Sequence, residues 1–137
     1  MTCIIGVTDG KKVTIIGDSA GTSGSETLLR KDPKVFRKGE FVLGGSYSFS
    51  MIQIINHCWE PPSIDNMDIM RYMVSIFVPS IIETFDRCGY ENDDQSGCNL
   101  MVGIRGRLFS ILGDYQVQET FDGFEALGSG TSYARGV

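Results

Sequence analysis

The sequence predicts an α+β fold in which antiparallel sheet carries helices packed on its outside. Three observations lead there. β-Branched and apolar runs broken by turn residues occupy residues 2–17 and return at 34–44. Apolar residues at helical spacing fill the middle, and strand-like runs return from position 99. Strands and helices segregated in this way, rather than alternating, belong to α+β layering.

Residues 2–7 (TCIIGV) form a β-branched run, Asp9-Gly10 signals a tight turn, and residues 13–17 (VTIIG) repeat the pattern, so the chain opens on a hairpin. Residues 18–32 are small and polar and read as a long connection. A second hairpin follows, residues 34–37 and 41–44 flanking Lys38-Gly39-Glu40. Such apolar strands are expected to be covered on both faces. Over residues 49–59 Phe49, Ile52, Ile55 and Trp59 share one helical face, and Pro61-Pro62 ends the element. Asp65 or Asn66 suits the cap of the next helix, which closes near Gly89. Pro79 lies inside it and predicts a kink, since proline removes a backbone donor and crowds the preceding turn. The acidic stretch 91–97 reads as a loop. Strands follow at 99–104, 108–112 and 115–117, separated by Arg105-Gly106-Arg107 and Gly113-Asp114. Residues 131–137 look like a helix just starting, too short to hold alone, so the expectation is a fold cut short.

A chain of 137 residues suits one domain with a real core. Its net charge of −5, without a Lys/Arg cluster, argues against nucleic acid or an anionic membrane as partner. Cys3, Cys58, Cys88 and Cys98 show no CxxC spacing, and the single histidine, His57, lies far from three of them, so no metal site is expected. Cys58 and Cys88 fall in helix-like apolar stretches, where a thiol usually behaves as a small hydrophobe. No apolar leader follows a basic start, and no run approaches a membrane span of ~18 residues. A cytoplasmic location with reduced thiols is the expectation.

Three residues suggest chemistry. If Met1 is removed, Thr2 carries a hydroxyl and a free α-amine together. That amine, with an ordinary pKa of about 7.7–8.0, can take the hydroxyl's proton as general base. Asp18 ends the second strand of the opening hairpin, which returns it beside the chain start. Lys34 would disfavour the amine's protonated form, and an aspartate beside it would hold it charged and fixed. Separately each residue also suits an ordinary role: any protein can begin Met-Thr, an aspartate at a strand end forms turns, and a lysine is commonly a solvated charge.

Together the segments TCIIGV, IIGDSAGTSG, KDPKVF and ALGSGTSYARG resemble proteasome β-type subunits and bacterial HslV, the N-terminal-threonine proteases. The resemblance runs through nearly all of the chain without insertions. It implies an αββα sandwich of antiparallel sheets with helices outside, here lacking its C-terminal third. It implies catalytic roles for Thr2, Asp18, Lys34 and Ser129, and an oxyanion donor at the Ser48 backbone N–H, where the family usually carries glycine. Gly21, Thr22 and Ser23 would hold substrate as an added strand, and the specificity pocket would fall near Asp32, Phe36 and Ser46. No cofactor or metal is implied. The implied substrate is unfolded polypeptide, and the implied assembly is a double ring capped by an ATP-driven unfoldase. Two other readings remain at this point: a catalytically inactive ring subunit, and an amidohydrolase of the same N-terminal-nucleophile superfamily acting on a small amide. Cys3 as nucleophile would slip the spacing to Asp18 and Lys34 by one residue. His57 has no motif-placed Ser or Cys partner and reads as structural.

Overall fold

A computed structural model describes residues 3–18, 20–23, 26–46, 48–91 and 99–128, with side chains left aside over residues 20–28. Ten strands and a helical layer make up these residues. Strands β1 (Ile4–Thr8) and β2 (Val13–Gly17) form the opening hairpin. The Asp9 carboxylate accepts from the Lys11 and Lys12 amides at 2.8 Å, and Gly10 takes the left-handed conformation (φ 90°) that this turn needs. Strands β3 (Ala20–Ser23) and β4 (Glu26–Leu29) pair with each other. Strands β5 (Val35–Lys38) and β6 (Phe41–Ser46) form the next hairpin. Helix α1 spans Phe49–Cys58. A second helical rod follows as α2 (Ile69–Tyr72), a wide π turn (Met73–Phe77) and α3 (Val78–Arg87). The chain then returns to β7 (Asn99–Ile104), β8 (Arg107–Ile111), β9 (Val117–Glu119) and β10 (Phe124–Leu127).

Besides the β3–β4 ribbon there are two antiparallel sheets. The smaller has the order β10-β1-β2 and the larger β5-β6-β7-β8-β9. They stack face to face, with Ile4 and Ile15 of the small sheet meeting Met101 and Leu108 of the large one. The large sheet turns its other face to the helices. There Phe41, Trp59 and Phe77 gather with ring centroids 5.2–5.9 Å apart, and Tyr72 stacks on Phe41. Buried on both faces, β6, β7 and β8 read as nearly unbroken apolar runs. Glycines set the spacing of the sheets. A Cβ on Gly6 would stand 2.4 Å from Met101 Sδ, and one on Gly103 would stand 2.5 Å from Val13 Cγ1.

The α+β layering expected from the sequence is present. Several details differ. The small, polar stretch 18–32 holds the β3–β4 pair rather than a plain connection, because backbone pairing needs no apolar side chains. Strand β10 has no counterpart among the predicted elements, yet it pairs along β1 from Ile4↔Leu127 to Val7↔Phe124. Strand β9 begins where the predicted strand ends, since Tyr115 occupies a left-handed turn position (φ 68°). The second helix is capped by Asp68, whose carboxylate accepts from the Arg71 amide at 3.0 Å. Asp65 instead sits in a turn with φ 53°. The distortion expected at Pro79 appears just before it: the Val78 amide reaches back to the Met73 carbonyl, and Pro79 lies in the first turn of α3. Cys58 and Cys88 are exposed rather than buried, because each stands at the C-terminal end of its helix. The predicted loop from position 92 on, Cys98 and the helix start at 131–137 lie outside the described residues.

Candidate active site

The opening hairpin brings its two ends together. Ile4 pairs with Gly17, and the Asp18 amide donates to the Cys3 carbonyl at 3.3 Å. Asp18 thereby leaves the small sheet beside the start of β1. The large sheet supplies the other half. The Gly45 amide donates to the Lys34 carbonyl at 3.1 Å, which fixes Lys34 at the entrance to β5, against the end of β6. Gly17 permits the two halves to meet. A Cβ there would stand 2.7 Å from Ile4 Cδ1 and 2.9 Å from Val35 Cγ2.

Across this seam the Lys34 ammonium hydrogen-bonds to the Asp18 carboxylate. Only 2% of the Lys34 side chain is exposed, against 34% for Asp18. An ammonium so far from water is tolerable only when an anion faces it. The same ammonium stands 5.4 Å from the ring of Phe49, the first residue of α1. Ser48 caps that helix in extended backbone (φ −125°, ψ 117°), its hydroxyl accepting from the Met51 amide at 3.2 Å. The α1 start therefore lies beside the ion pair, with the partial positive charge of its free N–H groups. Ser46 is buried at the end of β6, paired with Asn99.

A second charged group adjoins the first. The Arg30 guanidinium lies 3.8 Å from the Phe49 ring centroid and forks onto Asp32, with both N···O distances at 2.9 Å. Asp32 also takes a long contact of 3.5 Å from the Gln53 amide. The hydrogen bond from Arg30 holds the Asp32 carboxyl below the usual carboxylate range. Two neighbours already occupy Asp32, while Phe36 packs against the core between sheet and helices. Arg30 and Gln53 were not singled out from the sequence. Arg30 and Asp32 meet across a bend at residues 31 and 32, which no periodicity announces, and Gln53 approaches from α1.

The structure thus brings together Asp18 and Lys34 and sets Ser48 next to them. Gly21, Thr22 and Ser23 fall on β3 as extended backbone paired with β4. Thr2 and Ser129 lie outside the described residues. Among the described residues, no group of three or more His, Cys, Asp and Glu is placed to hold a metal ion, and no helix is long and apolar enough to cross a membrane.

Two stacked antiparallel sheets with helices on the outer face of the larger, and a buried lysine paired with a half-buried aspartate at one end of the seam, form a fold of proteasome type. Solved structures share it. The chain is similar to Thiobacillus denitrificans BPH in complex with epoxomicin: 22% identity, 99% of this chain and 76% of that one covered, TM-score 0.77. It is similar to HslV from Trypanosoma brucei (20% identity, 98% and 75% covered, TM-score 0.62). A further likeness is to Anbu from Pseudomonas aeruginosa, solved as a helical assembly (18% identity, 97% and 63% covered, TM-score 0.65). No protein-family model and no curated protein sequence matches the chain.

Proposed function

We propose that the chain is a hydrolase of the proteasome type, a threonine endopeptidase whose nucleophile is Thr2 after removal of Met1. The observation that supports this most is the Lys34–Asp18 pair at the seam, one residue of chain from Thr2 through Cys3. In this reading the Thr2 α-amine takes the proton from its own hydroxyl as Oγ attacks a peptide carbonyl. The Lys34 charge keeps that amine unprotonated, and Asp18 keeps Lys34 charged and in place. Ser129 completes the hydrogen bonds around the amine, and the Ser48 backbone N–H receives the oxyanion. Extended polypeptide pairs along β3 at Gly21, Thr22 and Ser23. No cofactor takes part.

The same reading extends to assembly. HslV and the helical assembly of Anbu share this fold, which supports self-association, and we assign ring formation, an ATP-driven unfoldase partner and a cytoplasmic setting with it. The test begins with intact mass, which must show loss of Met1. Epoxomicin, bound by the Thiobacillus denitrificans protein, should then label Thr2, and Thr2→Ala should abolish the labelling. Retained Met1, or labelling that survives Thr2→Ala, overturns the assignment. Retained Met1 would favour an inactive structural subunit.

A further inference from the structure

Two thiols stand together at the opposite end of the helix layer from α1's Ser48 cap. Cys58 is the last residue of α1, and Cys88 caps α3. Neighbouring contacts lock the two helix ends in register. The Arg87 guanidinium donates to the Cys58 carbonyl at 2.7 Å, and the Trp59 indole donates to Ser80 Oγ at 2.9 Å. The Cys88 amide closes the last turn onto the Thr84 carbonyl at 3.0 Å. Residues 57, 58 and 86–89 are exposed, so reagents reach both sulfurs. The Cys58 thiol lies close enough to Cys88 to raise the pKa of the Cys88 thiol.

We propose that Cys58 and Cys88 form a dithiol–disulfide site, closed reversibly by exchange with a small-molecule disulfide and joining the ends of α1 and α3. Cys58, foremost, pushes the Cys88 thiol up, against the opposing charge of Arg87. In the exchange Cys58 gives its proton to solvent and attacks first. Its sulfur bonds to one sulfur of the external disulfide and expels the other as a thiolate. Cys88 then gives its proton to solvent and attacks the Cys58 sulfur, expelling the second thiolate, and both released thiolates take up protons. The protein loses two electrons and two protons, and the external disulfide is reduced by the same amount. An exposed pair of this kind is easily reduced again, unlike a buried structural bridge.

The experiment equilibrates the full chain with reduced and oxidised glutathione at graded ratios, without oxygen, then quenches in acid, alkylates and maps peptides under non-reducing conditions. The expected result is that Cys58 and Cys88 lose alkylation together while a cross-linked peptide containing both appears. The oxidised protein should also melt at higher temperature, because the bridge restricts the unfolded chain between the two helices. Cys58→Ser and Cys88→Ser should each abolish the cross-link and leave a lone glutathione adduct. The proposal fails if the two thiols are alkylated independently at every ratio. It also fails if Cys3 or Cys98 replaces either one in the cross-linked peptide. The wild-type peptide map decides the matter even if a serine variant folds poorly.

Discussion

An ammonium with 2% of its side chain in contact with solvent persists at Lys34 because a carboxylate faces it. Asp18 is less enclosed, so it can rehydrate if its partner is lost. Methionine approximates the length of lysine and leaves little void. Removing one partner of a buried ion pair destabilises where the other charge stays buried, and does so less where that charge can rehydrate. Lys34→Met should therefore lower the thermal midpoint modestly while slowing epoxyketone labelling by about 10²–10⁴-fold, the usual worth of general base catalysis. A melting curve and a labelling time course on one preparation separate the two effects. The place of Asp18 beside the chain start was suggested by spacing, because a tight hairpin must return the end of β2 to the start of β1. The Arg30–Asp32 fork over Phe49 was not foreseen, since it depends on where α1 begins in space.

Among the elements, α1 matters most to the site, because its first turn borders the ion pair. Ser48 holds that turn with its hydroxyl on the Met51 amide. Ser48→Ala should cost about 1 kcal/mol and Ser48→Gly only a few tenths, read as shifts in the urea midpoint. The strands meet a different constraint. A Cβ on Gly103 would fall 2.5 Å from Val13 Cγ1, a branched and stiff neighbour. Gly103→Ala should lower stability by about 1–3 kcal/mol, the usual cost of overpacking, again measured by urea unfolding. At this scale the helices were legible from apolar periodicity and the hairpins from turn residues. Strand β10 was not: four residues, FEAL, carry too little pattern, and their place is set by backbone pairing with β1. The choice of Asp68 over Asp65 as cap likewise rests on backbone direction.

At the scale of the whole molecule, one buried phenol stands out among the described residues, in the helix layer. Tyr72 donates to the Pro62 carbonyl at 2.5 Å, and burial foremost, with Glu40 nearby, raises its pKa to about 12. The folded state therefore keeps a proton that the unfolded chain gives up near its ordinary pKa of about 10. The resulting stability is complete below pH ~10 and is lost as pH rises toward about 12, by at most ~2–3 kcal/mol. Tyr72→Phe should cost about 1 kcal/mol at neutral pH for the lost hydrogen bond, yet flatten the alkaline decline. Unfolding midpoints at neutral and alkaline pH check both. The layering was readable from the order of periodicities. The division of the strands into two sheets was not, because pairing across long sequence separations leaves no local mark.

Asp18 belongs to one slab of the sandwich and Lys34 to the other. Neither slab alone holds both charges, so their encounter reports that the slabs have closed on each other. A nascent or partly melted copy would carry a carboxylate in one place and a solvated cation in another, with nothing to tune the leading amine. On the proposed activity, such a copy is inert toward its siblings. Latency during synthesis would then need no separate inhibitor, since the order in which the layers come together already enforces it.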